Sequence, residues 1–512
     1  MERAWRAIQT HIPFLFIASG ALLVRCIGIT EPFIGHHEWG GAFYSIVAIN
    51  HLKYGFFTTH FLDMPLAYST TPDQFVYYIH YPPLLGILTA CSFFLFGVHE
   101  WATRLIPIGF SLISLLLIYA ISSRLWSRMT GALAAFFFAF MPMAAYFGRV
   151  HDVEIAVTSF ALLMIYGYIR WEETRENRWF LVILAGLLLG GLVHWAAFPL
   201  PFLLAFHHLA TKHSAPISMR ILILPIISVI LFFGILAYFL MVTGSLESLL
   251  NSLFYRAGTA SGSASDFTIV DWISLELRRS VLYFTPVVMV LTAAGLGIIT
   301  RGVARRETLS RNLHLMVLWG YGLIPLLLFR QAAWVHNYFL WFLIPAIAIT
   351  AAIGAGWFLQ VMKSWLERHG YRSLVRSASV PGIVLLCIGA IFLLQAFPVL
   401  FMLHSWDTPD LHDAGVYLNL HTGENATVLA SSMVFPQVEY YARRRFEVVD
   451  TLAAFNGRKT DSSHPATEYL INNPETMDPQ LKSYLLDRYP VLLSNRWIIL
   501  NLTATEASRI PV

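Results

Sequence analysis

Long apolar runs alternate with short polar connections along most of this chain, at a spacing that suits a bilayer. A helix that crosses the hydrocarbon core needs roughly 20 predominantly apolar residues. Runs of that kind lie near 12–29, 104–124, 130–147, 155–171, 179–195, 221–242, 281–300, 313–329, 338–358 and 381–403. A further run, 196–210, is shorter and carries Pro199 and Pro201. The run 83–98 opens on Pro82-Pro83 and contains Gly86, and it reads either as a span or as a helix half-buried at the interface. The first run follows Glu2, Arg3 and Arg6 and has no small-x-small cleavage site before Thr30, so it is expected to be an uncleaved first span.

The pattern changes after about 404. Val428–Ala430 reads as a strand, Pro436–Arg445 as a short helix opened by proline, and Phe446–Val449 as another strand. Asp478–Arg488 is helical and Val491–Leu502 holds strand-like apolar runs. Strands alternating with helices predict a small soluble α/β domain over 404–512. The expected fold class is therefore an α-helical polytopic membrane protein, with about 11–13 transmembrane helices over 1–403, a large first outer loop at 30–103, and that C-terminal domain.

The basic residues set the expected orientation. With a cytoplasmic N-terminus and a non-spanning 83–98, the cytoplasmic connections are 1–11, 124–129, 170–178, 211–220, 301–312 and 359–380. They hold half of the 34 Lys and Arg, among them Lys212, Arg305, Arg306, Arg372 and Arg376. A spanning 83–98 would turn the clusters at 301–311 and 363–376 outward, against the positive-inside bias. This topology leaves 30–103, the segment 243–280 with its Gly/Ser/Ala tract at Gly258–Ser265, and the tail from 404 on the non-cytoplasmic side. The protein is expected in the plasma membrane as a multi-pass chain.

Composition agrees with the pattern. Of 512 residues, 57% are hydrophobic and only 12% charged, where a soluble domain carries about 25% charged residues. Cys26, Cys91 and Cys387 all lie in apolar runs, with neither a CxxC pair nor a zinc spacing. No basic stripe interleaves with aromatic residues outside the cytoplasmic loops, so a nucleic-acid partner is not expected.

Four outer stretches could carry chemistry. Gly35-His36-His37-Glu38-Trp39-Gly40 follows the first span directly, and a partly desolvated carboxylate flanked by imidazoles can act as a general base; a solvated loop is the plainer alternative. Phe147-Gly148-Arg149-Val150-His151-Asp152-Val153-Glu154 wedges ionisable residues between two spans, where they are costly. Arg149 suits a phosphate, and Asp152 and Glu154 suit a base or metal ligands. Arg330-Gln331-Ala332-Ala333-Trp334-Val335-His336-Asn337-Tyr338 offers Arg330, His336 and Tyr338 to an anionic headgroup, although such residues are also common interfacial anchors. Tyr77-Tyr78-Ile79-His80-Tyr81-Pro82-Pro83 brings aromatic rings and His80 above an apolar segment, which suits a sugar or headgroup pocket or an aromatic belt.

Tyr78-Ile79-His80-Tyr81-Pro82-Pro83-Leu84, the spacing Phe96-Gly97 to Arg104-Leu105, Pro142, Gly148-Arg149 and the Asp that opens the fourth span follow in order. This sequence resembles the GT-C class of membrane glycosyltransferases, and within it the dolichyl-phosphate-mannose protein mannosyltransferase-like group that includes the aminoarabinose transferases of lipid A. The resemblance is strongest over 1–210. It implies transfer of a sugar from a polyprenyl-phosphate donor to an acceptor hydroxyl, usually with inversion. It also implies a carboxylate base, a cation for the leaving phosphate and an apolar groove for the lipid tail. Those parts map onto Glu38 or Asp152, onto Arg149 or Arg330, and onto the 83–98 helix with neighbouring spans; His80, Tyr81, Glu154, His336 and Tyr338 complete the expected substrate contacts. Relatives carry Asp-Glu where this chain has His37-Glu38, so Glu38, Asp152 or His37 itself can be the base. The resemblance names no acceptor and no cofactor, and a divalent metal stays open. A transporter or flippase of lipid-linked glycans is the alternative, but it calls for charged or broken helices at mid-membrane and often inverted repeats. A membrane scaffold binding partners through the C-terminal domain would leave the outer motifs without a role.

Overall fold

The computed structural model describes residues 2–65, 75–211, 218–259, 267–304, 309–371, 379–424, 426–459, 466–471, 477–494 and 497–502. Lys212, Arg305, Arg306, Arg372, Arg376 and most of the Gly258–Ser265 tract lie outside the described residues. The chain forms two compact units, one from 1–29, 79–85 and 105–403 and the other from 30–78, 86–104 and 404–512.

The described helices run α1 (Glu2–Arg25), α2 (Trp39–Tyr54), α3 (Leu84–Phe96), α4 (Glu100–Leu125), α5 (Arg128–Phe140), α6 (Pro142–Phe147), α7 (Val153–Thr174), α8 (Asn177–Gly191), α9 (Leu200–Ala210), α10 (Met219–Leu222), α11 (Leu224–Thr243), α12 (Glu247–Ala257), α13 (Ile269–Phe284), α14 (Pro286–Ala304), α15 (Leu309–Leu328), α16 (Arg330–Val335), α17 (Ile344–Arg368) and α18 (Ser379–His404). Among the described residues, five helical stretches are long and apolar enough to cross a bilayer: Glu100–Leu125, Val153–Thr174, Met219–Thr243, Asn337–Arg368 and Val380–His404. The pair α13 and α14 makes a sixth if taken as one span bent by 108°. Of the other predicted runs, those near 12–29, 130–147, 179–195 and 196–210 form shorter apolar helices, and 313–329 lies in α15, which is not among the stretches apolar enough to cross.

The departures from the expected spans have local causes. The run 130–147 breaks at Met141, whose ψ of 128° leaves the helical region because Pro142 follows it. The expected span 281–300 starts inside α13 and crosses the bend at Thr285, which has φ 75°. Within the first unit, α14 and α17 approach so closely that a Cβ on Gly295 would collide with the Thr350 carbonyl, and one on Gly354 with the Leu291 carbonyl. Small residues at a helix crossing let backbones approach where lipid offers no hydrophobic drive.

The second unit holds a five-stranded sheet of β1 (Thr427–Ala430), β2 (Arg445–Val448), β3 (Ala466–Ile471), β4 (Val491–Ser494) and β5 (Ile498–Asn501), in the order β2-β1-β3-β5-β4. β1 pairs in parallel with β2 and β3, and β5 pairs antiparallel with β3 and β4. Period-two alternation sends Val428, Ala430, Leu470 and Ile499 to one face and Leu429, Tyr469 and Leu500 to the other. Helices α19 (Pro409–His421) and α20 (Pro436–Ala442) cover the first face through Leu411, Leu418 and Val438. Helices α21 (Leu452–Lys459) and α22 (Pro479–Arg488) cover the second through Phe455, Leu481 and Leu485. β3, central in the sheet, has no counterpart in the sequence-based expectation.

Residues 30–78 and 86–104 group with this sheet. Phe33, Ala42 and Ile46 pack with Tyr440, the Thr408 amide donates to the Ile34 carbonyl at 2.8 Å, and the Tyr441 hydroxyl accepts from the Phe33 amide and lies 3.1 Å from Glu100.

Candidate functional site

In the first unit the chemistry gathers where α6 turns into α7. The turn at Gly148 tolerates no side chain: an added Cβ would sit 2.5 Å from the Ala144 carbonyl and 2.7 Å from Arg25 Nε. Arg25 is fully buried and donates to Ser111 Oγ at 2.7 Å and to the Ala21 and Ala139 carbonyls. Arg149, which the sequence offered to a phosphate, is also buried, and its guanidinium donates to the Ile27 and Gly28 carbonyls at the end of α1. It ties the turn to the first helix.

Asp152 caps α7, its Oδ1 accepting from the Val153 amide at 2.9 Å. Burial raises its pKa, opposed by the contact with Glu154, the Val153 amide and Arg256. Glu154, one residue into the helix, is 0% exposed. Neither of its carboxyl oxygens finds a donor. Its acidic neighbour is Asp152, and two carboxyls in contact become a hydrogen-bonded pair only when they share a proton.

The cation of this neighbourhood is Arg256, in the last turn of α12. It acts electrostatically on Asp152, Glu154, His80 and His336, and its guanidinium lies 4.5 Å over the Tyr81 ring. Tyr81 is buried and stacks on His194 at 4.8 Å. His80 Nε2 lies 2.9 Å from Ser248 Oγ on the same helix as Arg256, and the His80 carbonyl accepts from Trp195 Nε1 at 2.7 Å. His336 stacks on Tyr338 at 4.9 Å. The preceding turn is held by Arg279, which donates to the Ala333 and Trp334 carbonyls. Burial, then Arg256, pushes the His80 pKa down to about 4. Burial, then Arg256 and Arg279, does the same for His336. Both imidazoles are neutral at pH 7, which leaves the positive charge to Arg256 and, beside His336, to Arg279. Thus Asp152, Glu154, His80, His336 and Tyr338 all lie within electrostatic reach of the guanidinium that covers the Tyr81 ring. Arg330 stands at the exposed start of α16, and among the described residues no contact brings it into this group.

In the second unit Glu38 is 3% exposed and sits just before α2. Arg104 holds both its oxygens, Nε donating to Oε1 at 3.1 Å and Nη2 to Oε2 at 2.6 Å. Arg104 also donates to the Glu31 and Pro32 carbonyls and lies over the Phe33 ring. Both oxygens of the carboxylate are thus engaged in charge-assisted hydrogen bonds. His37 adopts φ 60°, and its ring lies 4.2 Å from that of His36, which in turn lies 4.8 Å from Trp406. Burial pushes the His36 pKa down to about 4.

Sequence reasoning passed over Arg256. The signal was available: Arg256, like Arg278 and Arg279, lies in a segment expected on the outer side, against the inward bias of the basic residues. A separate apolar cavity of about 750 Å³, lined by Phe14, Tyr119, Phe136, Leu386 and Arg128 among others, contains no carboxylate or imidazole. It suits a hydrocarbon chain rather than a reaction.

The profile of the family described as dolichyl-phosphate-mannose-protein mannosyltransferase matches residues 80–246. A comparison with curated proteins finds no match. The fold is similar to that of ArnT from Cupriavidus metallidurans in the apo state, with a TM-score of 0.65 and 13% identity over 95% of this chain and 97% of that one. For the same protein bound to undecaprenyl phosphate the TM-score is 0.68 at 13% identity, covering 97% and 99%. The archaeal oligosaccharyltransferase AglB from Archaeoglobus fulgidus, in complex with an inhibitory peptide and a dolichol-phosphate, matches with a TM-score of 0.56 and 13% identity, covering 90% of this chain and 69% of that one. By its motifs, by the family profile over 80–246 and by its fold, the chain resembles the GT-C class of membrane glycosyltransferases, in the mannosyltransferase- and ArnT-like group.

Proposed function

We propose that the protein is a multi-pass membrane glycosyltransferase that moves a sugar from a polyprenyl-phosphate donor to a hydroxyl of a protein, lipid or glycan acceptor on the non-cytoplasmic face. The observation that carries this reading is the meeting of a carboxyl pair, half-buried Asp152 and fully buried Glu154, with the charge of Arg256 at the end of a membrane-length helix. Asp152 is the proposed base. The acceptor oxygen attacks the anomeric carbon as its proton passes to the Asp152 carboxylate, and the bond from that carbon to the phosphate oxygen breaks. The oxygen leaves with the electron pair as polyprenyl phosphate, whose charge Arg256 balances. A guanidinium matches phosphate oxygens in pairs, and it is worth most where water is excluded. Neutral His80 and His336 are suited to hydrogen-bond the sugar, and Tyr81 and Tyr338 to pack against it. Glu154 holds the second carboxyl, whose shared proton sets when Asp152 is ionised. Glu38 is read as the partner of Arg104, and His37 as a neighbour of His36.

The test is release of free polyprenyl phosphate by the purified protein, followed by mass spectrometry, from a panel of hexosyl and pentosyl polyprenyl phosphates with and without cell-envelope acceptors. Acceptor-dependent release from at least one donor is expected. Transbilayer movement of an intact donor in reconstituted vesicles, with no release from any of them, would instead establish the flippase alternative.

A further inference from the structure

The far end of α7 carries a second cluster that the transfer reaction does not use. Glu172 lies 20 residues beyond Asp152 on nearly the same helix, about 30 Å away at 1.5 Å per residue. Around it gather Tyr168 of α7, His207 and His208 of α9 and His314 of α15. His207, His208 and His314 are at most 4% exposed. One donor atom each from Glu172, His207 and His314 lies within 4.8 Å of the others.

The hydrogen bonds around the cluster fix the tautomers. Ser310 O, a carbonyl that can only accept, lies 2.8 Å from His314 Nδ1 and 3.1 Å from His207 Nε2. Both nitrogens therefore carry the proton, and His314 Nε2 and His207 Nδ1 are lone pairs in the neutral rings. His314 Nε2 is buried without a hydrogen-bond donor, yet it faces Glu172 Oε2 at 3.1 Å. Two electron-pair donors at that distance repel unless a cation or a proton lies between them. Tyr168 has one proton and two acceptors at 2.9 Å, Glu172 Oε1 and His207 Nδ1. Once it is given to the carboxylate, the His207 lone pair is left over. His208 differs: its Nε2 accepts from the Ser218 amide at 3.1 Å. Its Nδ1 therefore carries the proton and points toward Tyr168 and Glu172, so it supports the carboxylate.

We infer that Glu172, His207 and His314 form a divalent-cation site of the zinc type that ties α7, α9 and α15 together at the end of the bundle opposite Asp152. Two imidazoles and a carboxylate are a common zinc set with a fourth position for water. Ligands at 2.0–2.1 Å in tetrahedral array stand about 3.3 Å apart, close to the His314–Glu172 separation of 3.1 Å. Ligand histidines characteristically donate their other N–H to a carbonyl, and one carbonyl, Ser310 O, receives both here. The distance from Asp152 makes the role one of holding helices, independent of the proposed transfer reaction.

The experiment uses the full chain in detergent, with any affinity tag removed, stripped with a chelator, loaded with zinc chloride and desalted. Elemental analysis is expected to find about one zinc per chain. Glu172→Gln and His314→Gln are expected to lower zinc affinity at least tenfold, while Asp152→Asn retains the metal. Cobalt loading of the unaltered protein is expected to give a visible absorption band of low-coordinate nitrogen and oxygen ligation, a readout that needs no variant. Wild-type protein that keeps no zinc and shows no cobalt band would overturn the site and leave His314 and Glu172 as a proton-linked pair. Undiminished zinc in both variants would also overturn it.

Discussion

Replacing Asp152 by Asn isolates the proposed base from the architecture around it. Asparagine caps a helix about as well as aspartate, so the bond to the Val153 amide, 2.9 Å in the structure, survives and α7 keeps its start. The charge and the basic lone pair are lost. A positioned general base contributes roughly 10²–10⁴-fold, so turnover should fall by that factor, equivalent to about 2.7–5.4 kcal/mol of barrier. Stability should move the other way. Burial raises the Asp152 pKa in the folded state, so the fold favours the protonated carboxyl. The destabilisation sets in as pH climbs from the unfolded pKa toward the raised folded one and is complete above it. At neutral pH the Asn variant should therefore melt at the same temperature as the parent or higher. The rising limb of the parent's pH–rate profile, which reports ionisation of the Asp152–Glu154 pair, should disappear from any residual activity. The assay is release of polyprenyl phosphate against pH, paired with thermal unfolding in the same detergent. Full turnover in the variant would refute the assignment. A loss of turnover matched by an equal loss of melting temperature would refute the argument that cap and base separate.

Three further outcomes follow from the same geometry. Arg104→Met strands the buried Glu38 carboxylate and should cost about 3–5 kcal/mol; Arg104→Met with Glu38→Leu should recover most of that, and a double variant no more stable than the single one would deny the pair its structural role. Arg256→Ala removes a charge-assisted contact worth about 1.5–3 kcal/mol and should raise the KM for the lipid donor roughly 10–150-fold, with Arg256→Lys intermediate; an unchanged KM in titrations of donor would remove Arg256 from the phosphate site. Gly354→Leu forces a side chain into the Leu291 backbone and should lower stability by at least about 1–3 kcal/mol, measured by thermal unfolding, whereas the same change at Gly297, which has open space around it, should be nearly silent.

Hydropathy and residue type make much of this protein legible in its sequence. Helices form over the long apolar runs, broken at Met141 and bent at Thr285, because a long apolar run satisfies its backbone only by becoming helical. The tail reveals β1, β2, α20 and α22 through short apolar runs and Pro start signals. β3 escapes because Ala466–Ile471 mixes Glu468 with apolar residues, and a strand becomes central only through the partners on its two sides. Asp152, Glu154, His80, Tyr81, His336 and Tyr338 are legible as ionisable or aromatic residues beside spans, since such positions are costly without a role.

The sequence by itself determined a membrane chain, its apolar helices, its α/β tail and the local motifs, since each depends on composition and periodicity within one short stretch. Only the tertiary structure decided which charges meet. It put Arg149 on the carbonyls that end α1, Glu38 in the fork of Arg104, Arg256 among the residues around Asp152, and Glu172 against His207 and His314. Those partners lie tens of residues or more apart along the chain. A carboxylate with a free lone pair and one held in an ion pair read identically as letters, and only the packed neighbours distinguish them.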